Sequence, residues 1–199
     1  TRAAAPLGAA GVRTIATLAL DTWFDGDFRT MLEDVTLVGL LPGLTLEARV
    51  AREDVAGWHG WEFGLGPVVN LTENLYVVAV YSLGVDSDAV VSHELDASLN
   101  HESATTAVSL GFKAVGYPSL GYVYVTPSLG GKFHPVEALG LFGKVFVSAD
   151  VDGAVSGSFW GEADWRVTPA ITVRAGGTMG WSDGLAWSAI AGVNVAVAP

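Results

Sequence analysis

Cysteine is absent from this chain of 199 residues. That removes a disulfide framework, a thiol nucleophile and any cysteine-based metal site at once. Lysine is nearly absent too: three residues, within a total of ten Lys and Arg against 21 Asp and Glu. The net charge of −11 leaves no clustered basic surface, so nucleic acid is not an expected partner. Charge of either sign is scarce. Only 16% of residues are charged, where a soluble domain usually carries about 25%. Half the residues are apolar and the mean hydropathy is positive. Yet no apolar run reaches the roughly eighteen residues that a membrane-spanning helix needs. The greasiest early stretch, Ile15 to Leu20, is broken by Thr17 and stopped by Asp21. A chain too apolar for an ordinary soluble surface, and without a spanning helix, fits a membrane β-barrel. Its membrane signal is spread over many short alternating segments.

Those segments are present. In 171–181, Ile171, Val173, Ala175, Gly177, Met179 and Trp181 alternate with Thr172, Arg174, Gly176, Thr178 and Gly180. Successive side chains of a strand point to opposite faces, so one face is apolar and the other polar or small. The same alternation separates Leu44, Leu46, Ala48 and Val50 from Thr45, Glu47, Arg49 and Ala51. It also separates Val91, Leu95, Ala97 and Leu99 from Ser92, Glu94, Asp96 and Ser98.

Period-two segments bounded by turn residues predict strands over Val12–Phe24, Phe28–Gly39, Leu44–Glu53, His59–Val69, Leu75–Val85 and Ala89–Leu99. The second half gives Thr105–Val115, Ser119–Thr126, Val136–Ala149, Ala154–Trp165, Ala170–Trp181 and Leu185–Val197. Segments of about ten residues suit tilted membrane strands. The turns fall into two series, acidic or Gly-rich tips (DGD, EDVAG, DSD, DVDG, SDG) and Pro or amide tips (LPG, LTEN, NHES, VTP). Two series are what an up-and-down barrel shows, one at each rim. Gly116–Pro118 and a longer connection over Pro127–Pro135 interrupt the pattern.

The expectation is an all-β, transmembrane, up-and-down antiparallel barrel of about twelve strands, with a range of about ten to fourteen. Residues 12–197 would form it, preceded by an N-terminal arm or linker over 1–11. The alternative is a soluble sandwich or barrel with its apolar face inward. That needs a polar outer face, and segments such as Leu75 to Tyr81 have little polarity on either side.

The repeated unit of a turn plus an alternating strand (PGLTLEARV, LTENLYVVAVYSLG, VTPAITVRAGGTMGW) resembles bacterial outer-membrane β-barrel proteins over about Val12 to Val197. The resemblance is one of pattern and names a class rather than a family. It implies a bacterial outer-membrane location and membrane lipid as a partner. Many members end in an aromatic residue, and this chain departs from that with Val195-Ala196-Val197-Ala198-Pro199.

Parity places Glu47, Arg49, Glu53, Glu62, Glu94, Asp96, Lys113, Lys144, Glu162, Asp164 and Arg174 inside the barrel or at its rims. They would act either as a salt-bridged filling or as a charged lining that selects ions or small solutes. Phe142 and Phe146 also point inward by parity. Trp23, Trp58, Trp61, Trp165, Trp181 and Trp187 lie near turns and are expected at the membrane interfaces, where amphipathic rings are favoured.

The four histidines, His59, His93, His101 and His134, match no metal spacing, and neither a metal nor a cofactor is expected. A rim dyad of His59 with Glu62 is the one pairing with acid–base potential. Without a motif that carries mechanism, an enzyme is not expected. The expected function is a narrow passive channel for ions or small solutes. The alternatives are a non-conducting scaffold that anchors an envelope protein partner or oligomer and, last, a lipid-modifying enzyme.

Overall fold

The computed structural model describes residues 12–23, 28–55, 58–182 and 185–197, with side chains over 30–55, 58–182 and 185–195. The proposed arm over 1–11, Phe24 and the side chain of Trp23 lie outside the described residues. Twelve strands follow one another: β1 (Val12–Trp23), β2 (Phe28–Leu41), β3 (Leu44–Val55), β4 (Trp58–Asn70), β5 (Leu75–Asp86), β6 (Val91–Glu102), β7 (Thr106–Tyr117), β8 (Tyr122–Val136), β9 (Leu139–Asp150), β10 (Val155–Arg166), β11 (Ile171–Trp181) and β12 (Leu185–Val197). Each pairs antiparallel with its chain neighbours. β1 closes on β12 in a register running from Ala16↔Val197 to Trp23↔Ile190. The result is a closed up-and-down barrel with no free edge, which is how an all-β chain satisfies its backbone within a membrane.

The strands turn their apolar alternate set outward. Leu95, Leu99, Leu110, Leu129, Val145, Phe159 and Val173 are all exposed on the outer surface. Their neighbours in sequence are the less exposed set and face the interior. A soluble barrel reverses this arrangement. The interior is not uniformly polar, however. Val68 on β4 and Tyr76, Val78 and Val80 on β5 form a buried cluster, and Leu37, Val115 and Ile190 are buried on other strands.

The two rims use two turn chemistries. At one, a strand-end aspartate folds its own turn: Asp86 Oδ1 accepts from the backbone N–H of Asp88 and Val90, both at 2.9 Å. Asp150 Oδ1 accepts in the same way from Asp152 at 3.0 Å and Ala154 at 2.9 Å. At the other rim a threonine does this work. Thr72 Oγ1 accepts from Asn74 and Leu75 at 3.3 and 3.1 Å. Thr168 Oγ1 accepts from Ala170 and Ile171 at 3.2 and 3.0 Å. Short side-chain acceptors that bond the backbone two to four residues ahead are the usual makers of tight turns. The acidic tips at 86–90 and 150–154 are therefore explained by local backbone chemistry. Pro42-Gly43 makes a shorter turn, with Gly43 at φ 80°, a conformation that favours glycine.

One stretch departs from the sequence expectation. The connection expected over Pro127–Pro135 is strand, part of the fifteen-residue β8. The connection lies instead at Glu137-Ala138, and the strand expected from Val136 begins at Leu139. Ser119 and Leu120, expected to open a strand, belong instead with Pro118 to a 3-10 turn. By strand order Gly116–Gly121 lies on the same rim as the Asp86 and Asp150 turns, although it carries no acid, and Glu137-Ala138 lies on the rim of the Thr72 and Thr168 turns. Pro127 is tolerated because the β8–β9 ladder opens there: paired residues resume only at Ser128↔Phe146 after Val125↔Ala149. A register shift between Phe133 and Val136 accommodates Pro135. Proline lacks a ladder donor and is confined to such irregular points.

Candidate functional site: the charged barrel interior

The interior is built by parity on each strand. On the observed strands the alternate set opposite the apolar outer face holds Glu47, Arg49 and Glu53 on β3, Glu62 on β4, Glu94 and Asp96 on β6, Lys113 on β7, Lys144 on β9, Glu162 and Asp164 on β10, and Arg174 on β11. Glu33 on β2, Lys132 on β8 and Trp160 on β10 join them.

One group centres on Arg49. Glu33, Ala51 and Glu62 stand side by side across β2, β3 and β4, with Arg49 two residues along β3 on the same face. Its Nη2 donates to Glu47 Oε1 at 2.8 Å, and its Nε lies 3.6 Å from Glu33 Oε1. The longer contact is ionic rather than a hydrogen bond. Glu62 Oε1 is buried without a hydrogen-bond partner. Two carboxylates thus share one guanidinium, with Glu62 beside them on β4. Beside Glu47 and Arg49 in register, Gly66 and Gly64 let β5 approach closely: a Cβ at Gly66 would meet the Ala79 backbone, and one at Gly64 the side chains of Ser82 and Val80.

A second group spans β6 and β7, where Lys113 Nζ lies 2.7 Å from Glu94 Oε2 and stands opposite Asp96 in register. A third crosses β9. Lys132 on β8 pairs with Asp164 on β10, over Gly140 of β9, whose lack of a side chain lets them meet. Arg174 lies 3.7 Å from Glu162, so the acids expected together beside Arg174 are divided between two cations. Hydroxyl pairs fill the spaces, Thr126 with Ser148 at 2.8 Å and Thr178 with Ser188 at 2.7 Å.

Near the acidic-tip rim, Tyr117, Tyr122 and Tyr124 form an inward cluster with ring centroids 6.0 to 6.5 Å apart. The Tyr122 hydroxyl donates to Asp150 Oδ2 at 3.4 Å. Sequence reasoning missed this cluster because it assigned Tyr117 to a turn. The alternation Tyr122-Val123-Tyr124 was the available signal. Phe142 and Phe146 face inward, as expected.

The tryptophans divide. Trp61, Trp165, Trp181 and Trp187 are exposed on the outer face near strand ends. Trp61 stacks with Phe63 and carries the Arg52 guanidinium 5.3 Å from its ring; Arg52 is also held by Asp54 through two 3.0 Å hydrogen bonds. Trp58 departs from the expected girdle. It pairs with inward Val55, and its ring lies over Gly60 on the interior side.

Histidine chemistry is not assembled at the rim. His59 and Glu62 are three residues apart on one strand and so face opposite sides, which undoes the dyad. His93 is outward, with its Nδ1 2.6 Å from the Tyr81 hydroxyl. Among the described residues no group of three or more His, Asp or Glu is arranged to hold a metal ion.

No family model matches the chain, and no curated protein matches it by sequence. Solved structures do. The COG4313 outer membrane channel from Pseudomonas putida F1 matches with a TM-score of 0.74 at 14% identity, covering 99% of each chain. The NanC porin matches with a TM-score of 0.66 at 9% identity, over 92% of this chain and 99% of that one. The KdgM porin, solved in complex with disordered oligogalacturonate, matches at 0.65 and 9% identity, over 92% and 98%. The chain therefore has the fold of the bacterial outer-membrane β-barrels. Within that class it resembles compact channels that its own length spans almost end to end.

Proposed function

We propose that this chain is a bacterial outer-membrane barrel that acts as a narrow passive channel for ions or small solutes. Residues 12–197 form the channel. The observation that carries the reading is the inversion of an ordinary globule: a closed twelve-stranded barrel with an apolar outer belt and a charged interior. Twelve strands enclose a lumen between those of small filled barrels and wide porins. Inward charges in such a lumen set which ions pass. Glu47, Arg49, Glu94, Asp96, Lys113, Lys144, Glu162, Asp164 and Arg174 line the path, and Trp61, Trp165, Trp181 and Trp187 seat the barrel in lipid. The similar channels and porins favour the same reading.

The test is single-channel recording in a planar bilayer. Discrete, reproducible current steps from refolded protein are expected. Protein shown to be folded and inserted, yet electrically silent, refutes it. A second reading has one observation in its favour. The buried cluster of Val68, Tyr76, Val78 and Val80 fills part of the interior, as in a non-conducting scaffold barrel. Silence in the bilayer, together with co-purification of an envelope protein, would favour that reading.

A further inference from the structure

Charge is not mixed evenly around the barrel. Through its middle, β2 to β6 turn Glu33, Glu47, Glu62, Glu94 and Asp96 inward against Arg49. β7 to β9 turn Lys113, Lys132 and Lys144 inward. Most of these groups answer one another: Arg49 holds Glu47 and Glu33, Lys113 holds Glu94, and Lys132 holds Asp164.

Among the described residues the buried side-chain atoms without a hydrogen-bond partner are Glu33 Oε1, Thr45 Oγ1, Arg49 Nε, Glu62 Oε1, Trp160 Nε1 and Asn194 Oδ1; Glu33 Oε1 and Arg49 Nε form an ion pair with each other, and at mid-barrel two walls remain. On one, Glu62 has a buried Oε1 with no hydrogen-bond partner, and Asp96 is in no ion pair among the described residues. On the other, Lys144 is in no ion pair among the described residues. Trp160 stands directly opposite it on β10, with a buried Nε1 that has no acceptor. All four lie at mid-strand: Glu62 in Trp58–Asn70, Asp96 in Val91–Glu102, Lys144 in Leu139–Asp150 and Trp160 in Val155–Arg166. In a ring of twelve strands, β4 and β10 are six steps apart in either direction, so Glu62 and Trp160 stand on opposed walls.

Buried polar atoms are ordinarily satisfied, and each one that is not calls for a partner. Here the missing partners are of two kinds. The wall around β4–β6 carries more carboxylates than Arg49 and Lys113 pair with, and the β9–β10 wall presents an ammonium and an indole N–H without an acceptor. An uncharged solute can hydrogen-bond to both walls but neutralises neither, and a solute of a single sign neutralises only one. We propose that the middle of the barrel is a binding subsite for a small zwitterion, with its ammonium end at Glu62 and Asp96 and its carboxylate end at Lys144 and Trp160 Nε1. This rests on the interior being open to solutes, as in the channel reading.

The test is calorimetric titration of the detergent-folded protein with ω-amino acids of increasing length, from glycine to aminohexanoate. The series samples the charge separation that the lumen accepts. One member is expected to bind saturably, and its N-acetyl and methyl-ester derivatives at least about tenfold more weakly, since each loses one charged hydrogen-bonded end. Lys144→Met and Glu62→Gln should each weaken binding by a similar factor, and Trp160→Phe should weaken it as well. Circular dichroism and heat-modifiable gel mobility establish that every variant is folded. Absence of binding by the whole series, or equal binding of the blocked derivatives, overturns the proposal. Planar-bilayer recording of the same samples separates the two readings. Binding without current removes the channel and keeps the subsite; current without binding does the reverse.

Discussion

The assignment of faces can be tested by moving one lysine by one residue. Lys144 and Val145 are adjacent on β9, the first inward and the second outward, with Val145 44% exposed on the outer belt. The double variant Lys144→Val/Val145→Lys keeps the composition and reverses only which side carries the ammonium. Lys144 has no ion pair among the described residues, so Lys144→Val alone should cost about 1 kcal/mol or less. The outward lysine is different. Val145 is near the centre of Leu139–Asp150, where a side chain has farthest to reach toward either water layer. A lysine on the lipid face at that depth costs about 2–4 kcal/mol, and about 3 kcal/mol is roughly a hundredfold in the folding equilibrium. Equilibrium unfolding in denaturant, with the barrel inserted in phospholipid vesicles, reads both numbers. The double variant should lie about 3 kcal/mol below the single one. A difference under about 1 kcal/mol would show that Val145 does not meet hydrocarbon, and the membrane reading of the outer belt would fail with it.

Arg49→Met should destabilise the barrel by about 3 kcal/mol, because it leaves Glu47, which is 2% exposed, without its cation. Adding Glu47→Gln should recover part of the loss; a double variant less stable than Arg49→Met in the same unfolding experiment would contradict the arrangement around Arg49. For the girdle, brominated lipids placed at interface depth should quench Trp187 and Trp181 strongly and Trp58 weakly, because Trp58 lies over Gly60 on the interior side. Single-tryptophan versions of the protein make the comparison, and equal quenching of Trp58 and Trp187 would place Trp58 outside after all.

Much of this architecture is a local property of the chain. Alternation of period two in 44–51, 91–99 and 171–181 is enough to define strands, their two faces and which face is apolar. The number of such segments, with turn residues between them, sets the strand count. Even the turn chemistry is local, since Asp86, Asp150, Thr72 and Thr168 bond to backbone only two to four residues ahead. Inward parity for the charged residues follows from the same alternation.

Other features depend on strands that are distant in sequence. Pro127 and Pro135 read locally as a connection. Only the opening of the β8–β9 ladder, a fact about two strands together, lets them stand inside β8. Trp58 reads as a girdle residue until its pairing with Val55 turns it inward. The division of Glu162 and Asp164 between Arg174 and Lys132 was not visible either, because Lys132 reaches Asp164 across an intervening strand at Gly140. Alternation decides which side of a strand a residue takes, and it is written in the residues themselves. Which charges then meet is decided by the register of neighbouring strands and by the closure of β1 on β12, and those exist only once the barrel has formed.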